Sequence, residues 1–413
     1  MSKIEELIEK LCPNGVEYKK TKEIKKDSFW LMPATPYYIS EGVPYITAKN
    51  IKDGKINFEN VNYISQEDYI NISAKRKIEK NDLLVTMIGT IGETAFVEDN
   101  TEFYGQNMYL IRLDYTKINR KFYNYYLTSP KVRNLLVTKK NISNQGYIKA
   151  GNLEELSIPV PPLEIQNEIV YILDKFTALL AELKAELKAR KKQYAYYLEK
   201  LIDIDNENLE KISIGELFKF KNGINKSKEF FGTGTPIINY IDVYKNNQLY
   251  ANTIKGKVES SQSDLERYDC KRGDVFFTRT SETKEEVGIA SVLLEDIKDS
   301  VFSGFLLRAR PITNKLLPEY CAYCLISPQI RNQIVRASNI TTRATTTGTI
   351  LSKIKIPIPA IEVQEKVANI LDRFNKLCNS LTEGIPAEIE ARQKQYEYYR
   401  DKVLTFKELV IDE

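Results

Sequence analysis

Along residues 163–183 the apolar residues Ile165, Ile169, Ile172, Phe176, Leu179 and Leu183 fall at alternating steps of four and three. That spacing lines one face of a helix and is the seam of a coiled coil. Pro159, Pro161 and Pro162 hold the chain extended just before it, and Glu164 places an acid in its first turn. The pattern predicts one helix over 163–202, about 60 Å long at 1.5 Å per residue. The same steps recur at Val363, Val367, Ile370, Phe374, Leu377 and Leu381. There Gly384-Ile385-Pro386 predicts a break, after which the seam resumes at Ile389, Arg392, Tyr396, Tyr399 and Val403. Each apolar stripe needs cover. Because a globular segment separates the two stems in the chain, each is expected to pack antiparallel against the other.

Elsewhere the pattern changes. NDLLVTMIGTIGETAFV (81–97) and GDVFFTRT (273–280) are rich in β-branched and aromatic residues, with turn signals around them, and predict strands. KFYNYYLTSPKVRNLLVTKK (121–140) and LLPEYCAYCLISPQIRNQIVRA (316–337) have helical spacing with a proline midway, predicting a helix, a break and a second helix.

These elements occur twice because the chain is written twice. IPVPPLEIQNEIVYILDKF (158–176) returns as IPIPAIEVQEKVANILDRF (356–374), and Tyr194, Tyr196 and Tyr197 return as Tyr396, Tyr398 and Tyr399. More weakly, Asp82 and Thr86 match Asp274 and Thr278, and Ser129-Pro130 and Arg133 match Ser327-Pro328 and Arg331. Each copy is about 200 residues. The stems are similar and the globular parts have diverged, which suggests one mechanical task and two different ligands. The expected fold is α+β: two mixed α/β heads, residues 1–157 and 206–355, separated by two long antiparallel coiled-coil stems, 158–205 and 356–413.

Composition narrows the chemistry. The chain has 413 residues, 28% of them charged, and no histidine. Imidazole acid/base chemistry, Ser-His-Asp systems and histidine zinc sites are thereby excluded. Five cysteines, an odd number, suggest a reducing compartment without a disulfide framework. No apolar run approaches a membrane span and the first residues do not read as a signal peptide, so a cytoplasmic location without membrane contact is expected. Cys321 and Cys324 form a CxxC inside an apolar helical pattern and read as core. GTGTP (232–236) lacks the lysine and length of a phosphate loop. No catalytic or metal-binding constellation emerges.

The net charge is only +4, but it is unevenly placed. Residues 115–153 contain no Asp or Glu, while holding Lys117, Arg120, Lys121, Lys131, Arg133, Lys139, Lys140 and Lys149. Residues 320–361 likewise lack acids and hold Arg331, Arg336, Arg343, Lys353 and Lys355. Amide and hydroxyl residues fill both windows. An ordinary solvated basic face is the plain explanation of one window; two at equivalent places point to nucleic acid, with lysines on phosphates and arginines and amides at base edges. The candidate DNA-binding residues are Arg133, Lys139, Lys140, Asn144 and Gln145 in the first head. In the second head they are Arg331, Arg336, Asn339, Arg343 and Thr345.

Taken together, the opening IEKLCPNGVEYKK (8–20), the two IPxPxxExQ motifs, the two Lys-Gln-Tyr-x-Tyr-Tyr segments and AELKAELKA (181–189) resemble the specificity subunits of Type I restriction-modification systems, over essentially the whole chain. The resemblance implies two target-recognition domains, each reading half of a bipartite sequence in double-stranded DNA. It implies conserved helices that separate the domains and dock two modification (methyltransferase) subunits, joined by restriction subunits. Under it, Gln166, Tyr194, Tyr197, Gln364, Tyr396 and Tyr399 are the expected partner-facing residues. The chain itself would be non-catalytic and carry no cofactor; S-adenosylmethionine, ATP and magnesium would belong to the partner subunits. Two other readings compete: a two-headed coiled-coil scaffold that binds proteins, and a free-standing methyltransferase, which the missing glycine-rich cofactor loop disfavours.

AELKAELKA writes one tetrapeptide twice. Leu179, Leu183 and Leu187 would make two successive four-residue steps, a stutter that locally unwinds a coiled coil. One tetrapeptide is worth about 6 Å of rise and roughly 40° of turn. In the resembled family such repeats tune the spacing between half-sites.

Overall fold

The computed structural model describes residues 3–52, 54–139, 146–203 and 209–410. The chain forms two compact units, one of residues 1–182 with 390–413, the other of residues 183–389. Among the described residues no helix is long and apolar enough to cross a membrane.

In the first unit a four-stranded antiparallel sheet runs in the order Lys25–Leu31, Met108–Leu113, Leu83–Thr86, Thr94–Phe96. Leu83–Thr86 is buried at every position, so its run LLVT covers both faces of the sheet. One face packs on the helices Arg120–Leu127 and Pro130–Thr138, with Phe122, Tyr123, Val132 and Leu136 in the same core as Val85 and Ile111. The second unit repeats this plan in five strands: Phe218–Asn222, Leu306–Pro311, Val275–Thr278, Ala290–Leu293 and the short Gln248–Leu249. Its helices Pro318–Ile326 and Pro328–Ala337 break at Ser327-Pro328, as the proline predicts. Cys321 and Cys324 lie in this core, and burial pushes both thiols up.

The first stem is one helix, Leu163–Leu201, of 39 residues. The second stem is two helices, Ile361–Asn379 and Ile385–Val403. Gly384 sits at the break, where a Cβ would come within 2.4 Å of the Lys376 carbonyl oxygen. Within the first unit Phe176 stacks on Tyr399, with ring centroids 5.6 Å apart, and tilts against Tyr396. Within the second unit Phe374 stacks on Tyr197 at 5.4 Å and tilts against Tyr194. Each unit therefore contains its own pairing of stem segments, with the phenylalanine of one motif lying on the tyrosines of the other.

In the first stem the seam keeps Ile165, Ile169, Phe176 and Leu183 but moves from Leu179 to Leu180. Leu180 is buried while Leu179 is 36% exposed, so the covered positions run Leu180, Leu183, Leu187, Arg190, Tyr194, Tyr197. Those steps alternate three and four through AELKAELKA, and the expected stutter is not there. In the first helix of the second stem the buried positions are Gln364, Val367, Ala368, Leu371 and Cys378. Val363, Ile370, Leu377 and Leu381 are exposed. Apolarity alone selects large side chains, whereas close helix packing selects the alanine, the cysteine and a hydrogen-bonded glutamine.

Candidate nucleic-acid interface

Both heads are built around the same buried charge pair. Arg112 reaches Asp82 through two hydrogen bonds of 2.8 Å, and Arg310 reaches Asp274 at 2.8 and 2.6 Å. Asp82 also accepts the Glu79 N–H, and Asp274 the Lys271 N–H. These bidentate pairs fix the starts of the strands Leu83–Thr86 and Val275–Thr278, and the aspartates raise both guanidinium pKa values further. The repeated Asp and Thr seen in sequence are thus parts of the frame, since Thr86 and Thr278 are buried too.

The opposite ends of these two strands meet the acid-free windows. In the first head the Ile148 N–H donates to the Met87 carbonyl, and Ile88 bridges to Tyr147. In the second the Thr346 N–H donates to the Arg279 carbonyl, and Thr280 pairs with Thr345. The window thus returns to the same edge of each sheet. That edge also carries the turns into the next strands, at Gln106-Asn107 and at Gly304-Phe305.

Around this edge the second head gathers Asn339, Arg343 and Thr345. Asn339 pairs with Thr345 in a small sheet that also holds Thr280–Ser281. Arg343 makes a 3.0 Å ion pair with Glu282, and both side chains are well exposed. Such a pair contributes little to folding and exchanges readily for another anion. Arg279 joins them, donating to the Gly304 carbonyl at 3.0 Å. Sequence reading misses it because it lies at a strand end outside the acid-free window. Arg336 is exposed in the last turn of Pro328–Ala337.

The first head presents a recess of about 780 Å³ at the corresponding edge, lined among others by Tyr45, Asn50, Asn62, Thr90 and Asn107. Lys139 is exposed at the end of Pro130–Thr138. Lys140, Asn144 and Gln145 lie outside the described residues. The recess amides come from segments far apart in the chain, and no local signal in the sequence joins them.

Three expected residues have other employment. Arg331 donates to the carbonyls of Gly288, Val287 and Glu285 at 2.6, 2.8 and 3.0 Å, and burial pushes its guanidinium pKa down. It straps the loop after Val275–Thr278 to the helix and has no free fork for a base. Arg133, at the matching place in the first head, is exposed and makes an ion pair with the Glu93 carboxylate on that loop, so its fork is not taken up by backbone as that of Arg331 is. Gln166 and Gln364 are fully buried, which corrects their assignment to a partner surface. Gln166 accepts the Asn119 N–H at 2.7 Å and donates to the carbonyls of Pro161 and Lys117 at 2.7 and 3.2 Å. Gln364 accepts the Leu317 N–H at 2.9 Å and donates to Pro359 and Lys315 at 2.9 and 2.8 Å. Each glutamine is a clip joining three stretches of backbone: the proline segment, the head and the stem.

The tyrosines divide. Tyr194, Tyr197 and Tyr396 are half-buried on the opposing stem, and Tyr399, 38% exposed, stacks there as well. Their neighbours Tyr196 and Tyr398 face outward, 57% and 65% exposed.

The family comparison agrees with this duplicated plan. The description "Type I restriction modification DNA specificity domain" matches twice, over residues 2–190 and 206–391. The chain belongs to the Type I restriction-modification DNA specificity family. Among members of the family, the Escherichia coli EcoR124I/EcoR124II specificity subunit is 34% identical over 273 residues. That match covers 62% of this chain and 65% of the relative, so the chain spans just under two thirds of that subunit's length. A putative specificity subunit of Haemophilus influenzae is 29% identical over 313 residues, covering 70% of this chain and 73% of that one. The fold is shared with a chain from a type I restriction-modification structure concerned with complex assembly and conformational transition. It is 16% identical with a TM-score of 0.62, covering 95% of this chain and 98% of that one. The S subunit from M. genitalium is likewise 16% identical, with a TM-score of 0.54, covering 94% and 96%.

Proposed function

We propose that this chain is a non-catalytic address subunit: each head reads one half of an asymmetric bipartite target in double-stranded DNA. The reading rests chiefly on one observation. In both heads an acid-free window closes onto the same edge of the sheet, beside polar and basic residues that the frame does not use. In this reading the exposed Lys139, Arg336 and Lys353 would neutralise phosphates, and Arg343 and Asn339 would reach base edges beside the turn that Arg279 holds. Because the residues at the two edges differ, the two half-sites differ.

The stems carry the second task. Val363, Ile370 and Leu377 make an exposed apolar stripe on the helix Ile361–Asn379, with Leu381 exposed in the break after it and Tyr196 and Tyr398 exposed on the repeated tyrosine segments. These surfaces suit modification subunits, which would supply S-adenosylmethionine-dependent methyl transfer; restriction subunits using ATP and magnesium would join them. The first stem sets the spacing between half-sites.

Co-expression with candidate modification subunits, followed by mapping of methylated adenines, tests the reading. The expected result is an asymmetric bipartite motif, with DNA affinity falling steeply as salt rises. A palindromic motif, or affinity that ignores salt, would overturn it; the latter would favour a protein-binding scaffold.

A further inference from the structure

The turn before strand Met108–Leu113 in the first head corresponds to the turn before Leu306–Pro311 in the second. Met108 lies opposite Thr86 in the first sheet, and Leu306 opposite Thr278 in the second. The residues just before them are Asn107 and Phe305. Their backbones make the same bond: the Met87 N–H donates to the Asn107 carbonyl at 3.5 Å, and the Arg279 N–H to the Phe305 carbonyl at 3.4 Å. These are one structural position with opposite chemistry.

In the second head the ring of Phe305 is 72% exposed. A lone exposed aromatic is ordinary on a protein surface. This one is held in place. The Gly304 N–H donates to the Ile224 carbonyl at 2.7 Å, and Arg279 bonds the Gly304 carbonyl from the other side. A Cβ on Gly304 would fall 1.8 Å from the Asn225 side-chain oxygen, and one on Gly223 would fall 2.1 Å from the Ser303 carbonyl oxygen. Two chain segments therefore clamp the turn, and the ring stands on a rigid tip beside the rim that carries Arg279, Arg343 and Thr345. In the first head Asn107 adopts a left-handed φ of 67°, which asparagine tolerates better than most residues, and it lines the polar recess. Its turn is the shorter: Gly105 and Phe302 pair with the matching residues Ile46 and Ile238, leaving two residues before Met108 and three before Leu306.

We infer that this position determines specificity in both heads, with Phe305 packing on a thymine 5-methyl group and Asn107 hydrogen-bonding an adenine edge. The inference rests on the DNA-reading function proposed above. An apolar ring beside hydrogen-bonding arginines matches the one apolar group that bases display in the major groove, and a carboxamide matches the adenine N6/N7 pair. Pre-ordering of the turn lowers the entropic cost of contact.

The test uses the full chain assembled with its modification subunits and the motif found by methylation mapping. Oligonucleotides carry deoxyuridine in place of each thymine of the second half-site, removing only the methyl group. One such replacement should weaken binding by the wild-type complex about fourfold, the worth of one buried methyl. Phe305→Ala should bind thymine and deoxyuridine DNA equally and methylate a motif relaxed at that single position. Asn107→Asp and Asn107→Gly both tolerate the left-handed backbone, and each should alter one position of the first half-site only. Thermal unfolding checks that the variants fold. If Phe305→Ala keeps the wild-type motif and deoxyuridine response, or if both Asn107 variants leave the first half-site unchanged, the inference falls. An Arg343→Ala complex separates the two failures. If that complex loses the second half-site while Phe305→Ala does not, the DNA-reading function stands and only the role of this position is lost. If none of these variants changes DNA recognition, the function falls with it.

Discussion

Gln166 and Gln364 show what a motif residue can be for. The IPxPxxExQ pattern is visible in the sequence, and so is its repetition, yet the reason for its glutamine is not. Each side chain satisfies one N–H and two carbonyls of backbone that would otherwise be buried unpaired. Gln364→Ala should therefore cost about 2–3 kcal/mol by leaving those groups unsatisfied. Urea unfolding would read this, with the DNA motif unchanged. Glu154 makes a second single-residue case. It accepts hydrogen bonds from Lys25, Tyr109 and Ser28, tying the short helix Ala150–Glu154 to the sheet, and these donors hold its carboxyl below the usual value near 4.5. A depressed folded-state pKa means that the ionised carboxylate stabilises the fold above that usual value, and that this support is lost as pH falls through the depressed one. Glu154→Gln should lower the melting temperature at neutral pH, with the difference from wild type shrinking as the solution is acidified through the carboxylate range. Melting curves across pH measure this; a constant difference would count against it.

Among the elements, the heptad pattern in the sequence identifies both stems and the break in the second. It misplaces part of the seam, at Leu179, Ile370 and Leu377, because it counts large apolar side chains as the buried ones. The true seam follows how closely the helices can approach, which favours Ala368 and Cys378 over Ile370 and Leu377. The aromatic contacts hold each pairing: Phe374 lies against Tyr194 and Tyr197, and Phe176 against Tyr396 and Tyr399. Phe374→Ala should destabilise the second unit by about 2 kcal/mol, the cost of a half-buried ring and its stacking partners. Calorimetry should show the loss, and Phe176→Ala should produce a similar loss in the first unit. Tyr196→Ala, an exposed site, should leave stability within about 0.5 kcal/mol of wild type. The paired helices of each head and the strands within 81–97 and 273–280 are equally legible, since β-branched runs and Ser-Pro breaks are local signals; the neighbouring strands Lys25–Leu31, Met108–Leu113, Phe218–Asn222 and Leu306–Pro311 are not read from the sequence. The edge proposed to meet DNA is only half legible: its charge is visible as two acid-free windows, but Arg279, Phe305 and Asn107 reach it through strand pairing.

For the whole molecule, the continuous helix Leu163–Leu201 is the part on which the spacer proposal depends. Its heptad seam passes through AELKAELKA without a stutter, so removing one tetrapeptide subtracts about 6 Å of rise and rotates the remainder of the helix by roughly 40°. Deleting Ala181–Lys184 should shorten the spacer of the methylated motif by about one to two base pairs, at about 3.4 Å per base pair, and leave both half-sites intact. Methylation mapping of the deleted complex decides it; an unchanged spacer would remove the stem's role as a ruler. The duplication, the alternation of heads and stems, the absence of imidazole chemistry and the family are all written in the linear chain. The duplication and the family lie in recurring motifs, and the rest in composition and in periodicities of two and 3.6 residues, which act over a few turns of chain. Which of the repeated polar residues are frame and which are free is settled only when the chain is folded. Arg331, Gln166 and Gln364 are held by backbone groups distant in sequence, while Arg279, Arg343 and Phe305 are brought together at one edge. Burial and hydrogen-bond satisfaction are properties of neighbours in space, and strand order chooses those neighbours.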